Sequence, residues 1–256
     1  MLDAIIWGLV QGLTEFLPIS SSGHLVLVPA FLSKLGWSVS QPSLAVSAVL
    51  HLGTLIAVIV YYRKDLVLIA RARTNPDARR ILGLLALGTV PALVGLPLRD
   101  SIDAFEDSAR NVAAALVVTG IILAVGSRLL TGTRRLESGT WRDAAVVGLF
   151  QALALVPGIS RSGMTITAGG GRRFDAAEAA RFSFLLAIPT IAGGGLLSLL
   201  DLSGQIAAGP MIAGFVVSTL SGYAAIALLL RTLRRVGLGP FAAYCLVVGA
   251  VGFVVL

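Results

Sequence analysis

Ser21 stands between a carboxylate six residues before it, Glu15, and an imidazole three residues after it, His24, in the stretch QGLTEFLPISSSGH (11–24). A hydroxyl flanked by a carboxylate and an imidazole has the parts for displacement at an electrophile. Ser21 is the candidate nucleophile, and His24 the base and then the acid. Glu15 would orient His24 or a metal-bound water. Direct attack by water activated by His24 and Glu15 fits the same residues. A second turn, PGISRSGMT (157–165), combines Arg161 with the hydroxyls of Ser160, Ser162 and Thr165, and with Gly158 and Gly163 for tight turns. A helix starting near Thr165 would aim backbone N–H groups at the same spot. Guanidinium, hydroxyls and a helix N-terminus together make a phosphate cradle. The candidate catalytic residues are therefore Glu15, Ser21, His24 and Arg161. Gln11, Ser20, Ser22, Ser160, Ser162 and Thr165 are the candidates for binding.

Blander roles compete for several of these residues. Glu15 and Arg161 could form an ion pair that only holds the fold together. Gln11 lies one helical turn before Glu15 and is repeated by Gln151, which suits packing. His51 lies within an intact apolar run and reads as a hydrogen-bonded core histidine. Pro91 and Pro189 read as helix kinks. Cys245, the one cysteine, reads as a small buried hydrophobe, with no disulfide framework or thiolate metal cluster to join.

These residues must be positioned inside a bilayer. Charged residues are 13% of the 256 positions, about half the share that a water-facing surface demands. Mean hydropathy is +0.91. Apolar runs cover 44–62, 81–98, 111–130, 182–200, 210–230 and 240–256, each near the roughly 20 residues needed to cross a hydrocarbon core. The N-terminus lacks a basic segment and a small-x-small cleavage site, and reads as part of the fold. The net charge of +7 does not point to nucleic acid, because the basic residues gather in short loops. Loops 63–80, 131–142 and 231–239 are basic, as is 171–181, whereas 99–110 is acidic. The positive-inside rule places the basic set in the cytoplasm and 99–110 outside.

The two hydroxyl-rich turns belong to a repeat. Residues 3–23 lie over 143–163 at a constant offset, with ten of the twenty-one pairs identical and no gap. The identities include Asp3/Asp143, Gln11/Gln151 and the Ser-x-Ser-Gly turn, which generic apolar helices do not share. Proline, serine and glycine break both copies, and broken backbone at membrane depth survives only when buried in protein or lining a polar cavity. Each copy is read as a re-entrant hairpin. Three spans, an odd number, separate the copies, so the second enters from the opposite face. The expected fold is all-α integral membrane with two inverted-topology repeats, each a re-entrant helical hairpin plus three transmembrane helices. The first is 1–130 (hairpin 2–32; spans 44–62, 81–98 and 111–130). The second is 141–256 (hairpin 143–170; spans 182–200, 210–230 and 240–256). Together they make one membrane domain with its site near the midplane. The repeat breaks at Glu15/Leu155, Ser21/Arg161 and His24/Met164. Those breaks carry the ionisable groups, and charge at membrane depth is costly enough to be usually paired and functional.

QGLTEFLPISSSGH and PGISRSGMT closely resemble the two signature regions of the undecaprenyl-diphosphatase family, the bacitracin-resistance (BacA-type) integral membrane phosphatases. LHLGTLIAV (50–58), YYRKD (61–65) and FSFLLAIPT (182–190) look like further family stretches. The resemblance implies removal of the terminal phosphate of undecaprenyl diphosphate. That would recycle the carrier for peptidoglycan synthesis and confer bacitracin resistance. It implies functional roles for Gln11, Glu15, Ser20, Ser21, His24, Ser160, Arg161 and Thr165. Also implied are a multi-pass place in the bacterial inner membrane and a site open to the periplasmic face. A divalent cation, Mg²⁺ or Ca²⁺, is expected to bind with the diphosphate. Gln11 stands where many members have an acid, so Glu15 is the one protein carboxylate at hand for it. The expected partners are the polyprenyl diphosphate and membrane lipids, with a homodimer left open and no nucleic acid. The rival reading is a polyprenyl-phosphate flippase on the same fold. The PAP2-type phosphatases, with Ser-Gly-His and Ser-Arg elements of their own, are disfavoured because no histidine follows Arg161.

Overall fold

The computed structural model describes residues 1–37, 39–200 and 208–256, with side chains left undescribed at 196–200. The described residues form helices joined by short turns, with no strand beyond one isolated bridge between Arg134 and Phe174. Helices α1 (Leu2–Phe16) and α2 (Ser21–Lys34) form one hairpin, and α8 (Trp141–Leu153) and α9 (Arg161–Gly171) form another. These arms contain 11 to 15 residues. At 1.5 Å per residue they run about 16–23 Å, short of a hydrocarbon core of about 30 Å. Between the hairpins come α3 (Leu44–Tyr61), α4 (Arg63–Ile69), α5 (Pro76–Thr89), α6 (Arg99–Glu106) and α7 (Ala109–Leu129). After them come α10 (Ala176–Leu200), α11 (Ala208–Val236) and α12 (Gly239–Val255). Among the described residues, Leu44–Tyr61, Pro76–Gly95, Ala109–Leu129 and Ala208–Val236 are long and apolar enough to cross a membrane.

The outer faces of these helices are apolar. Val118, Ile121 and Val125 of α7, Ile212 and Leu220 of α11, and Val247, Val251 and Val254 of α12 are all exposed. Apolar surface on that scale would aggregate in water and is matched by lipid.

Several helix ends fall outside the apolar runs, for one reason. Hydropathy finds the oily middle of a helix and misses its polar first and last turns. The 63–80 segment read as a loop contains α4 and the start of α5, where Asn75 caps Ala78 N–H and Pro76 takes the first turn. Around Pro91, α5 passes into a 3₁₀ segment, Val90–Gly95. The acidic 99–110 segment contains α6. The basic residues Arg231, Arg234 and Arg235 extend α11 instead of leaving it. Ion-pair clusters hold the basic segments. Arg181 pairs with Asp65, Glu137 and Glu178, and buried Asp143 pairs with Arg134 and Arg172.

Helix α1 packs on α11, α8 on α5, α3 on α11 and α10, and α7 on α12. Two glycine contacts set the hairpin seams. A Cβ added at Gly8 would sit 2.6 Å from Gly214 O of α11, and one at Gly148 would sit 2.6 Å from Gly88 O of α5. Such close approach of backbones is how membrane helices gain packing where the hydrophobic effect is absent. Both hairpin tips are buried, with Ser20, Ser160 and Ser162 shielded by the surrounding helices.

Candidate active site

Each tip is built by the same cap. Ser20 accepts a hydrogen bond from Gly23 N–H at 3.2 Å, and Ser160 accepts one from Gly163 N–H at 3.1 Å. Ser22 and Ser162 each lie 3.3 Å from the hydroxyl of the capping serine. The second helix of each hairpin therefore begins at Ser21 and at Arg161. The expectation of a helix starting near Thr165 is corrected by four residues, because Ser160 and not a later residue is the cap. Both N-termini, with their free N–H groups and partial positive charge, reach one cavity of ≈ 320 Å³.

The tips meet through charge. Arg161 Nη2 donates to Glu15 Oε1 at 2.7 Å, and Nη1 donates to Ser183 O at 3.4 Å. The other carboxylate oxygen, Glu15 Oε2, accepts from Ser21 Oγ at 2.7 Å and from Gln11 Nε2 at 3.0 Å. Ser162 Oγ crosses to Leu17 O at 3.3 Å. Glu15 and Gln11 are buried, and Gln11 Oε1 has no hydrogen-bond partner among the described residues. Glu15, Ser20, Ser21, Ser22, Ser160 and Arg161 all line the cavity.

Four expected site residues do not line the cavity: Gln11 reaches it only through its hydrogen bond to Glu15, and the other three sit elsewhere. Ser162 is buried at the tip contact. Thr165 Oγ1 bonds Arg161 O at 2.8 Å and the Ser183 hydroxyl at 2.7 Å, which ties α9 to α10. His24 does not line the cavity. Its Nδ1 is 2.7 Å from Ser20 O, its Nε2 is 2.7 Å from Tyr244 Oη, and its ring stacks on Tyr244. A carbonyl only accepts, so Nδ1 carries the proton, and Nε2 accepts from the tyrosine hydroxyl. The expected pairing of Ser21 with His24 is replaced by Ser21 with Glu15. The imidazole that does face the cavity is His51 of α3, whose Nε2 lies 3.9 Å from Glu15 Oε2. A signal for it was present in the sequence. Ser47, His51 and Thr54 recur at helical spacing and form a polar stripe on an otherwise apolar span.

The backbone at Ser20 is unusual, with φ +69°, whereas its counterpart Ser160 has φ −77°. A non-glycine residue at positive φ is strained and must be held there by its surroundings. Ser20 O accepts from both the backbone N–H and the ring of His24.

The donor set does not suit a metal held by side chains. Mg²⁺ and Ca²⁺ need several free oxygen ligands, and both oxygens of Glu15 are already engaged. Among the described residues no group of three or more His, Cys, Asp or Glu could hold a metal ion.

The described residues are those of a helical integral membrane protein, in which a hydroxyl, a carboxylate and a guanidinium are joined where two hairpin tips meet. Its family is defined by sequence: residues 4–251 match the family described as Bacitracin resistance protein BacA, and the chain belongs to that family. Proteins named undecaprenyl-diphosphatase from Nocardioides sp., Marinobacter nauticus and Geobacter sulfurreducens are 40%, 41% and 42% identical to it. The matches cover 100%, 99% and 97% of this chain, and 96%, 98% and 96% of those proteins.

Proposed function

We propose that the protein hydrolyses undecaprenyl diphosphate to undecaprenyl phosphate and inorganic phosphate within the membrane. The observation that carries this reading is the hydrogen bond of Ser21 Oγ to Glu15, whose other oxygen is held by Arg161. A hydroxyl at a helix N-terminus, bonded to a fixed carboxylate, is a nucleophile with its base in place. The choice of substrate is supported by relatives that bear the name undecaprenyl-diphosphatase.

In this mechanism Ser21 Oγ attacks the terminal phosphorus while its proton passes to Glu15 Oε2. The bridging P–O bond breaks, and its electron pair leaves on the lipid monophosphate. Arg161 has N–H groups beyond the two named above, and with the α2 and α9 N-termini it offsets charge on the transferred phosphoryl oxygens. Catalysis of phosphoryl transfer is largely such positioning and electrostatics. Gln11 fixes the carboxylate, Ser20 and Ser160 shape the tips, and Ser22 offers a further hydroxyl. Ser162 and Thr165 brace the second tip from behind. Any divalent cation would arrive on the diphosphate, since the described residues offer it no cluster of His, Cys, Asp or Glu. His24 acts by holding Ser20.

The inverted-repeat architecture is part of the same reading. It is supported by four hairpin arms too short to cross the membrane and by the matching seams Gly8–Gly214 and Gly148–Gly88. With the basic loops in the cytoplasm, the N-terminal end of α3, where Leu44 and Ser47 line the cavity, faces outward. The site would then open to the periplasmic side of an inner membrane. From there it would return carrier lipid to peptidoglycan synthesis and oppose bacitracin.

The test is phosphate release from undecaprenyl or farnesyl diphosphate by purified protein in detergent, beside Ser21→Ala. Release that the substitution lowers by at least ~100-fold supports the hydrolase. Lipid binding without release, with or without Mg²⁺ or Ca²⁺, would instead favour a polyprenyl-phosphate flippase.

A further inference from the structure

Glu15 can serve the first half of the reaction but not the second alone. Once it has taken the proton of Ser21, it must keep that proton to return it when the phosphoserine bond breaks. The attacking water then needs a different acceptor. Of the described side chains lining the cavity, Glu15, His51 and Arg161 are the ionisable ones, and a guanidinium cannot accept a proton.

His51 is prepared for that work. Its Nδ1 lies 2.8 Å from Ser47 O, one turn earlier on α3, and 3.5 Å from the Ser47 hydroxyl. The carbonyl can only accept, so Nδ1 bears the hydrogen and Nε2 presents a lone pair. Nε2 faces the site 3.9 Å from Glu15 Oε2, too far for a direct hydrogen bond. The side chain is 32% exposed, whereas that of Glu15 is 7% exposed. His51 therefore sits between the buried carboxylate and the water that enters the cavity. The charged groups around it come from other helices: Glu15 on α1, Arg161 on α9 and, further off, Glu106 on α6. Of the remaining helices on α3, α10 contributes Thr190, Ile191, Gly194 and Gly195 to the cavity, α11 meets α3 through Phe215, Ser218 and Thr219, and α4 joins its far end. None of those cavity and contact residues of α10 and α11 is charged.

We propose that His51 is the base of the dephosphorylation step. This deepens the hydrolase reading and rests on it. Water oxygen bonds to the phosphorus of phosphorylated Ser21 as its proton passes to His51 Nε2. The P–Oγ bond breaks, its electron pair returns to Oγ, and Glu15 gives back the proton it held. Inorganic phosphate leaves, and His51 releases its proton to solvent.

Rapid-quench kinetics on purified protein with farnesyl diphosphate test this for the wild type, His51→Ala and His51→Gln. Glutamine keeps a donor for Ser47 O but takes no proton, so it guards against a merely unfolded alanine variant. The expected result in both variants is a burst of about one lipid monophosphate per enzyme. Phosphate release then slows by at least ~100-fold, and phosphate is recovered on Ser21 by mass spectrometry. Added imidazole should speed phosphate release from His51→Ala. Wild-type release in both variants overturns the proposal, as does equal slowing of both products without a phosphoenzyme. If the wild type itself releases no phosphate, the hydrolase reading falls first.

Discussion

Pairing Glu15 with Arg161 could serve folding, chemistry or both, and a double-mutant cycle separates them. Their side chains are 7% and 14% exposed, and the contact is 2.7 Å. In Arg161→Met the carboxylate keeps its bonds to Ser21 and Gln11 but loses its counter-charge. Removing one partner of a buried pair costs about 3–5 kcal/mol. At about 2–4 °C per kcal/mol for a chain of this size, Tm in detergent should fall by roughly 6–20 °C. Glu15→Gln should cost less, about 1–3 kcal/mol, because the amide oxygen still accepts from Ser21 and the stranded guanidinium borders a wet cavity. Combining the two removes both charges and leaves uncharged groups of similar length. The double variant should then lie within about 1.5 kcal/mol of wild type, since neutral replacement of a buried pair is often neutral. Thermal unfolding followed by tryptophan fluorescence measures each corner of the cycle. Phosphate release supplies the other axis, and there the double variant should stay at least ~100-fold below wild type. A double variant as unstable as the sum of the singles would show that counter-charge is not what the pair contributes. One that regains hydrolysis would reduce the pair to a scaffold and refute the site.

Other expectations follow from single contacts. Tyr244→Phe leaves His24 Nε2 without its donor and should cost about 1 kcal/mol, whereas His24→Ala should lower kcat through Ser21 placement and leave the shape of the kcat–pH profile unchanged. Gly8→Ala should destabilise by about 1–3 kcal/mol, because the new Cβ meets Gly214 O at 2.6 Å. Gly193→Ala, with nothing within 4 Å of its Cβ, should raise Tm slightly. Burial alone would raise the Glu137 carboxyl, but its hydrogen bond from Arg181 and nearby positive charge hold it below the ordinary carboxylate range. Its folded form therefore adds stability above about pH 4.3, and that contribution is lost as pH falls further. Melting curves from pH 6 to 3 should show this loss, reduced in Glu137→Gln.

Much of the site was legible because the sequence repeats itself. The alignment of 3–23 with 143–163 put Glu15 and Arg161 at corresponding tips, and the structure joins those tips. Less legible was anything that depends on a partner distant in the chain. His24 sits three residues from Ser21 in sequence, yet its ring is claimed by Tyr244, 220 residues away. His51 lies 36 positions after Glu15, on a span whose hydropathy hides it. Spacing along the chain says which face of a helix a residue occupies. It does not say which other helix that face meets.

The repeat also indicates where chemistry had to depart from scaffold. Shared residues do shared work: Ser20 and Ser160 cap, Ser22 and Ser162 brace the cap, and Gly8 and Gly148 seat the first arm of each hairpin. Two equal tips would offer two hydroxyls or two cations, and neither pair can both attack a phosphoryl group and hold it. On the proposed mechanism, the division of labour needs Ser21 on one tip and Arg161 on the other. It also needs a carboxylate on the nucleophile's side only, which is why Leu155 stands opposite Glu15. The backbone follows the same division. Of the two capping serines only Ser20 takes positive φ, just before the residue that, on the proposed mechanism, must aim its hydroxyl at both Glu15 and substrate. Strain of that kind costs of order 1–3 kcal/mol and persists only if something holds it. The doubled hydrogen bond from His24 to Ser20 O supplies the hold. Met164, its counterpart, repeats the backbone bond to Ser160 O at 2.9 Å, but its side chain has no polar hydrogen to add, and the serine of that tip is relaxed. On this argument His24 is tied to the nucleophile's tip by geometry, while the proton traffic runs through Glu15 and His51.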